Sequence, residues 1–396
     1  MDLYQQGHET LASDTAGTLV DIASIIDSLT DAEISESVSA KAEQSVFEGA
    51  KELAAHADKF LKLKPDSEFE SAFNFLILTV FQQISTDSSL VLDELLPNLL
   101  SILSKPPPGS TVSVPAVLSV LSKMFNLLFS ELNALSGEAS DKTKLLIQQV
   151  FFTIATMAVE KGHYDALAMQ LGQVDVWVKV WNVTDETAFY MKLADIIASA
   201  DLNAAYKLNL KVASQSTDAA AVALRRGIQL PSQFDYDDLL ALDTTQQVLN
   251  SGSAPEAAVL KMFLDAPEGK SAQDSIRSLA KEAKLPEDLL VRKLQLFVLA
   301  NIASQHFAKN ENVPYAVLAQ ALDVSEDEVE VYVIDAIRRD LVNGRLSQAT
   351  SSFKVYRPSL HQFRQEHWQE VASKLDDWSV SLRNILSVLS QSTAGR

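Results

Sequence analysis

The sequence predicts an all-α fold with a small β wing: an α-helical repeat (solenoid) array leading into a winged helix, then a C-terminal heptad helix. Three observations predict it. From Thr18 to about Leu249 the apolar residues recur at helical spacing, and strand-like alternation is hard to find. Farther on, three helical patterns precede a hairpin pattern, the element order of a winged helix. Beyond that, Val371, Leu375, Trp378, Leu382, Ile385 and Leu389 repeat at alternating spacings of 4 and 3, a heptad seam. Composition agrees. Hydrophobic residues make up 47% of the 396, enough for large cores, while 12 glycines are too few for a fold built on glycine-rich loops.

In chain order, residues 1–17 read as a flexible acidic N-terminus, 18–215 as the helical-repeat array, and 216–360 as a second module. Its helical part spans 216–285 and its winged helix 286–358, and 361–396 are the C-terminal helix and tail. TLVDIASIIDSL places Leu19, Ile22, Ile26 and Leu29 on one face, and Thr30 and Glu33 form a capping-box pattern for the next helix. FNFLILTVFQQI, Phe73 to Ile84, is apolar nearly all round, as a helix between neighbours is. KPPPGSTVSVP, Lys105 to Pro115, is the strongest breaker and a loop. Paired helices joined by short polar loops indicate an α-solenoid, although no repeat consensus recurs.

Toward the C-terminus, Leu289–Gln305 reads as one helix, VPYAVLAQALDV as a short second, and SEDEVEVYVIDAIRRDLVNG as a third. Ser325 suits the N-cap, with Glu326, Asp327 and Glu328 complementing the helix dipole in the first turn. Val329, Val333, Ile337 and Leu341 share a buried face, and Asn343-Gly344 ends the helix. RLSQATSSFKVYRP then forms two short strands around a Ser/Thr-rich turn.

Chemistry is conspicuous by what fails. With no cysteine, thiolate nucleophiles, disulfides and zinc–thiolate sites drop out. APEGKS at Ala266–Ser271 has the tail of a phosphate loop, but Leu264 stands where the first glycine belongs. His361 and His367 are six apart, not the i, i+4 pair of a zinc helix. No catalytic, cofactor or metal residues are assigned, and no small-molecule substrate is expected. The acidic polar N-terminus has no leader pattern, and no run of 18 apolar residues occurs, so no membrane span is expected and the location is read as cytoplasmic.

The formal charge of −19 repels polyanions at long range, and the first 70 residues alone hold 15 carboxylates against 5 lysines. From Val313 to Arg357 the carboxylates Asp323, Glu326, Asp327, Glu328, Glu330, Asp335 and Asp340 face five basic residues, Arg338, Arg339, Arg345, Lys354 and Arg357. A helix entering the major groove reads bases with its N-terminal residues, and here those are Glu-Asp-Glu. DNA is therefore not an expected partner. The five basic residues lie at the far end and the wing, as candidate contacts with RNA or an acidic partner; their alternative is to offset local carboxylates in solvent.

A helical array running into a winged helix and a terminal heptad helix resembles the PCI module, shared by the proteasome lid, the signalosome and translation initiation factor three. VEVYVIDAIRRDLVNGRLSQ resembles the signature of the m-subunit family of that initiation factor. RPSLHQFRQEHWQEVASKLDDWSVSLRNILSVL is similar to that family's tail, with Phe363, Gln365, Trp368 and Trp378 at its spacings. LRRGIQLPSQFDYDDLLAL resembles the segment before its Phe-x-x-x-x-Leu-Leu helix, and LVDIASIID its early helix. The likeness is specific over about Ala220 to Leu389. KPPPGSTVSVP is no hallmark of it, and Phe363-Arg364 stands where Phe-Gly is usual.

The resemblance implies a PCI domain over 216–360 and a scaffold without catalysis. That scaffold joins other PCI subunits through winged helices and bundled terminal helices, binds the small ribosomal subunit and helps recruit messenger RNA. On the tail, Val371, Leu375 and Trp378 are expected to pack on the chain's own winged helix, and Leu382, Ile385 and Leu389 to meet a partner helix. Two other readings stay open: a PCI scaffold of the signalosome or proteasome lid, and a stand-alone helical-repeat/winged-helix nucleic-acid adaptor.

Overall fold

The computed structural model describes residues 16–28, 33–42, 45–81, 90–104, 112–132, 138–251, 254–308, 311–358 and 365–394. They form an all-helical fold with a single small antiparallel sheet among the described residues, and the chain divides into two compact units, Met1–Ala204 and Ala205–Arg396.

In the first unit, helix 16–28 buries Leu19, Ile22 and Ile26 as the spacing requires. Thr30 of the expected capping box lies outside the described residues. The next helix, Ile34–Ala42, is capped instead from the preceding one: the Asp27 carboxylate accepts the amides of Ile34 (2.9 Å) and Ser35 (2.7 Å). Burial raises the Asp27 pKa, but these amides outweigh it and the carboxyl is held below its usual range. Helix α1 (Asp66–Phe81) buries Phe69, Phe73, Leu76, Ile77, Val80 and Phe81, while Leu78 is partly exposed, so one face stays open. The end of the apolar run, through Ile84, lies outside the described residues, as does most of the proline loop. Pro115 sits in the first turn of α2 (Val114–Glu131), where its missing N–H costs nothing.

By length and composition alone, α2 could cross a membrane; in the fold it packs on α1 and on α3 (Glu138–Glu160). Between α2, α3, α4 (Val174–Trp181) and α5 (Glu186–Ile197) lies an aromatic cluster. The buried Trp181 ring stands 5.9 Å from Phe151 and 6.0 Å from both Phe125 and Phe189, the range in which offset and edge contacts are favourable. Asn182 takes the left-handed cap of α4 at φ 49°, a conformation asparagine tolerates.

In the second unit, α6 (Thr217–Gln229) starts at Ser216, whose hydroxyl accepts the Asp218 and Ala219 amides. Helices α7 (Pro255–Asp265) and α8 (Lys270–Ala283) flank the APEGKS stretch. A helix rather than a strand precedes that stretch, and the Gly269 amide donates to the Ala321 carbonyl, so the segment is an interhelical turn.

The winged helix comprises α9 (Glu287–Ala308), β1 (Val313–Pro314), α10 (Tyr315–Leu322), α11 (Glu326–Arg338), β2 (Val342–Ser347) and β3 (Ser352–Pro358). Its sheet has the order β1-β3-β2. Two strands were expected. The third, β1, is only two residues long and exists because β3 offers it an edge, pairing Val313 with Phe353. Ser325 and Glu328 make the capping box of α11, the Ser325 amide donating to Glu328 Oε2 at 3.3 Å. The buried face of α11 is Val329, Val333 and Ala336; Ile337 is only half-buried, and Leu341 is buried in the turn beyond.

The helix also ends earlier than Asn343-Gly344 would have it. Asp340 makes the turn at φ 59°, and Asn343 and Gly344 belong to β2 at a bulge. Burial of Leu341 and Val342 draws the chain into the sheet before the Asn-Gly pair can act as a stop. Gly344 is there for closeness: a Cβ would overlap the Lys354 carbonyl and lie 2.6 Å from the Phe353 ring. Gly344→Ala should therefore cost about 1–3 kcal/mol, read as a lower thermal midpoint.

Lys293 on α9 ties the helical part of this unit to its winged helix. It is 2% exposed, and its ammonium donates to the carbonyls of Gly227 (3.1 Å), Ile228 (3.3 Å) and Leu230 (2.9 Å) and to the Tyr236 hydroxyl (2.7 Å). Two of those carbonyls close the C-terminus of α6, where a cation complements the helix dipole. The rings of Phe234, Tyr236 and Phe263 surround it at 5.3–5.7 Å. Burial, with the Arg339 guanidinium nearby, lowers its pKa to about 7.

Candidate partner and nucleic-acid interface

Helix α12 (Gln365–Ala394) is 30 residues long, roughly 45 Å of rod, and its apolar seam is open. Val371 is 39% exposed, Leu375 58%, Trp378 72%, Leu382 59% and Ile385 53%. The expected inward packing of Val371, Leu375 and Trp378 is thus absent from the single chain: the seam is exposed along both halves. The core of the winged helix is closed by Val329, Val333, Ala336, Leu341, Val342, Phe353 and Val355 without side chains of this seam. The side chain of Leu389 lies outside the described residues. Trp368, three residues before Val371 and also exposed, extends the heptad by one position. Its spacing was legible, and only its place in a family-like motif drew attention to it.

Two of the five basic candidates are tied internally. Arg339 Nε donates to Asp335 Oδ1 at 3.0 Å, its Nη1 to the Pro231 carbonyl, and its guanidinium lies 5.5 Å from the Phe234 ring centroid. Across the same carboxylate, Arg292 donates Nε (3.2 Å) and Nη2 (3.0 Å) to Asp335 Oδ2 while lying 3.7 Å over the Tyr332 ring. Burial raises the Asp335 pKa, but the two arginines outweigh it and hold the carboxyl below its usual range. This clamp joins α9 to α11. Arg357 pairs with Asp340 at 3.2 Å, both largely exposed, an ion pair worth little. Arg338, Arg345 and Lys354 are exposed with no carboxylate in ion-pair range among the described residues.

The exposed face of α11 adds two apolar side chains that the sequence did not single out, Val331 and Ile334. Both lie off the buried stripe, where periodicity marks only a solvent face. His361 lies outside the described residues. Among those described, no group of three His, Asp or Glu side chains could hold a metal ion. In the first unit, a groove of about 590 Å³ is lined by Leu145, Phe152, Phe189, Lys144 and Lys192. Among its charged groups, Lys144 pairs with Asp141, the Asp185 carboxylate accepts the Ala188 amide, and Lys192 lies over Phe152.

Comparison with known proteins meets this geometry at both ends of the second unit. The PCI domain family matches residues 275–356, the span from α8 to β3, and the family described as eIF3 subunit M, C-terminal helix matches 362–389, the seam of α12. Eukaryotic translation initiation factor 3 subunit M of Aspergillus clavatus is 30% identical over 389 residues, covering 93% of this chain and 78% of its own. The Emericella nidulans protein of that name is 31% identical, covering 83% and 74%, and that of Chaetomium globosum is 29% identical, covering 88% and 81%. A winged helix with an acidic-tipped third helix and an open terminal seam, matched along nearly its whole length by these relatives, places the chain in the eukaryotic translation initiation factor 3 subunit M family.

Proposed function

We propose that the chain is a non-catalytic scaffold subunit of the translation initiation factor 3 complex in the cytoplasm. It joins other PCI subunits and supports recruitment of the small ribosomal subunit and messenger RNA through the complex. The observation that carries this reading is the exposed seam of α12 on a chain of the subunit M family. A row of leucine, isoleucine and tryptophan at heptad spacing is costly in water and is satisfied by another helix. The PCI domain supports the second contact, since α11 presents Val331 and Ile334 beside a first turn too acidic for duplex DNA.

Purification of the tagged full chain, with identification of what accompanies it, tests the reading. Initiation-factor subunits and small ribosomal subunits are the expected companions. A deneddylating signalosome or a proteasome lid would overturn the assignment in favour of another PCI complex, and nucleic acid without protein partners in favour of a free adaptor. Removing Glu366–Arg396 should release the chain from its complex while circular dichroism of the remainder keeps its helical signature. Undiminished assembly of that truncation would show that the tail is not an assembly element.

A further inference from the structure

The outer face of the wing carries exposed cations beside an exposed tyrosine. Arg345 on β2 stands directly opposite Lys354 on β3. Like charges at such a pair repel and destabilise a sheet. Here neither cation has a carboxylate in ion-pair range among the described residues. The bulge at Asn343/Gly344 breaks the alternation of β3, so that Tyr356 and Arg357 are both exposed beside them. The exposed face of the two strands therefore presents Asn343, Arg345, Lys354, Tyr356 and Arg357; Arg357 is paired with Asp340, and Arg345 and Lys354 stand, among the described residues, as two unpaired cations beside a tyrosine on a chain of charge −19.

We propose that this face of the wing is a contact for single-stranded RNA, two or three nucleotides long. The inference rests on the reading of the chain as an initiation-factor subunit, and names a direct ligand for it. Phosphates between Arg345 and Lys354 relieve the repulsion of the pair, and the exposed Tyr356 ring offers a stacking surface for a base. Duplexes fit less well. They present no free base faces to Tyr356, and the helix that would enter a groove leads with Glu326, Asp327 and Glu328. An acidic protein segment would use the cations but leave the ring idle.

The test is fluorescence anisotropy of the full chain with a labelled single-stranded oligouridylate of twelve nucleotides, beside a duplex RNA of equal length. Wild type should bind the single strand more tightly than the duplex. Tyr356→Ala should weaken single-strand binding about ten-fold and leave duplex binding unchanged. Arg345→Gln with Lys354→Gln should flatten the dependence of log affinity on log salt by roughly 0.7 for each cation removed. All three side chains are exposed, so the variants should melt as wild type does; if the double variant does not fold, Tyr356→Ala alone decides. Absence of wild-type binding, or variants that bind as wild type, overturns the proposal. Loss of subunit co-purification by Tyr356→Ala with RNA binding kept also overturns it and makes the face a protein contact. If RNA binding fails while the subunits still co-purify, only this inference falls, and the scaffold reading stands.

Discussion

Replacing Leu382, Ile385 and Leu389 together by serine should abolish or severely weaken co-purification of the other subunits. Each aliphatic side chain buried against a partner contributes roughly 1.5–3 kcal/mol, so three can carry a large part of one contact, with the ordering of the interface offsetting some of the gain. The isolated chain should melt within about 2 °C of wild type, because Leu382 and Ile385 already face solvent there. From sequence alone, Val371→Ser with Trp378→Ser was expected to destabilise the chain itself. Exposure of both side chains changes that expectation: this pair too should leave the melting curve in place and weaken assembly. A pull-down beside a melting curve separates the cases. An early melt of either variant would mean that the seam packs internally.

Lys293→Met should lower the stability of the second unit by about 1–3 kcal/mol at pH 7, since it leaves the buried carbonyls of Gly227, Ile228 and Leu230 without their hydrogen-bond donor inside the core. The pH dependence is diagnostic. Burial lowers the folded pKa to about 7, from 10.5 for an unburied lysine. Between those values the unfolded chain binds a proton that the folded chain does not. The contribution of Lys293 to stability therefore grows as pH rises above 7 and is lost as pH falls back toward it, by up to about 1.4 kcal/mol per pH unit. Denaturant titrations at pH 7 and 9 should show this gain in wild type and its absence in Lys293→Met. The window stops at 9 because tyrosines such as Tyr206, with its pKa raised to about 12 by burial, begin to act in the opposite sense above it. An equal gain in the variant would assign the effect to other groups.

Much of the architecture was legible because it depends on local pattern. Helical periodicity, the Ser325 and Glu328 capping box and the heptad from Val371 onward are properties of residues a few positions apart, and α11 and α12 formed where they indicated. The errors fall where distant groups compete with a local signal. Asn343-Gly344 is a good helix stop, yet burial of Leu341 and Val342 in the sheet acts first, and the glycine serves a close strand approach instead. Strand β1 is invisible in a Val-Pro dipeptide and appears only against the edge of β3.

For the candidate interface, the chemistry available is written in the amino-acid sequence: no thiol, an acidic first turn on the third helix of the winged helix, five cations near its end, and an apolar stripe on the last helix. Folding settles which of these are free to act. It placed Arg339 against Asp335 and Pro231, paired Arg357 with Asp340, and set Arg345 beside Lys354 with Tyr356 on the face of the wing. It also sank Lys293, one lysine in a largely apolar helix, among three carbonyls and three rings. The reason is range: helix propensity and periodicity act over a turn or two of chain, whereas ion pairs, burial and strand register join residues dozens of positions apart, and those contacts exist only once the chain has folded.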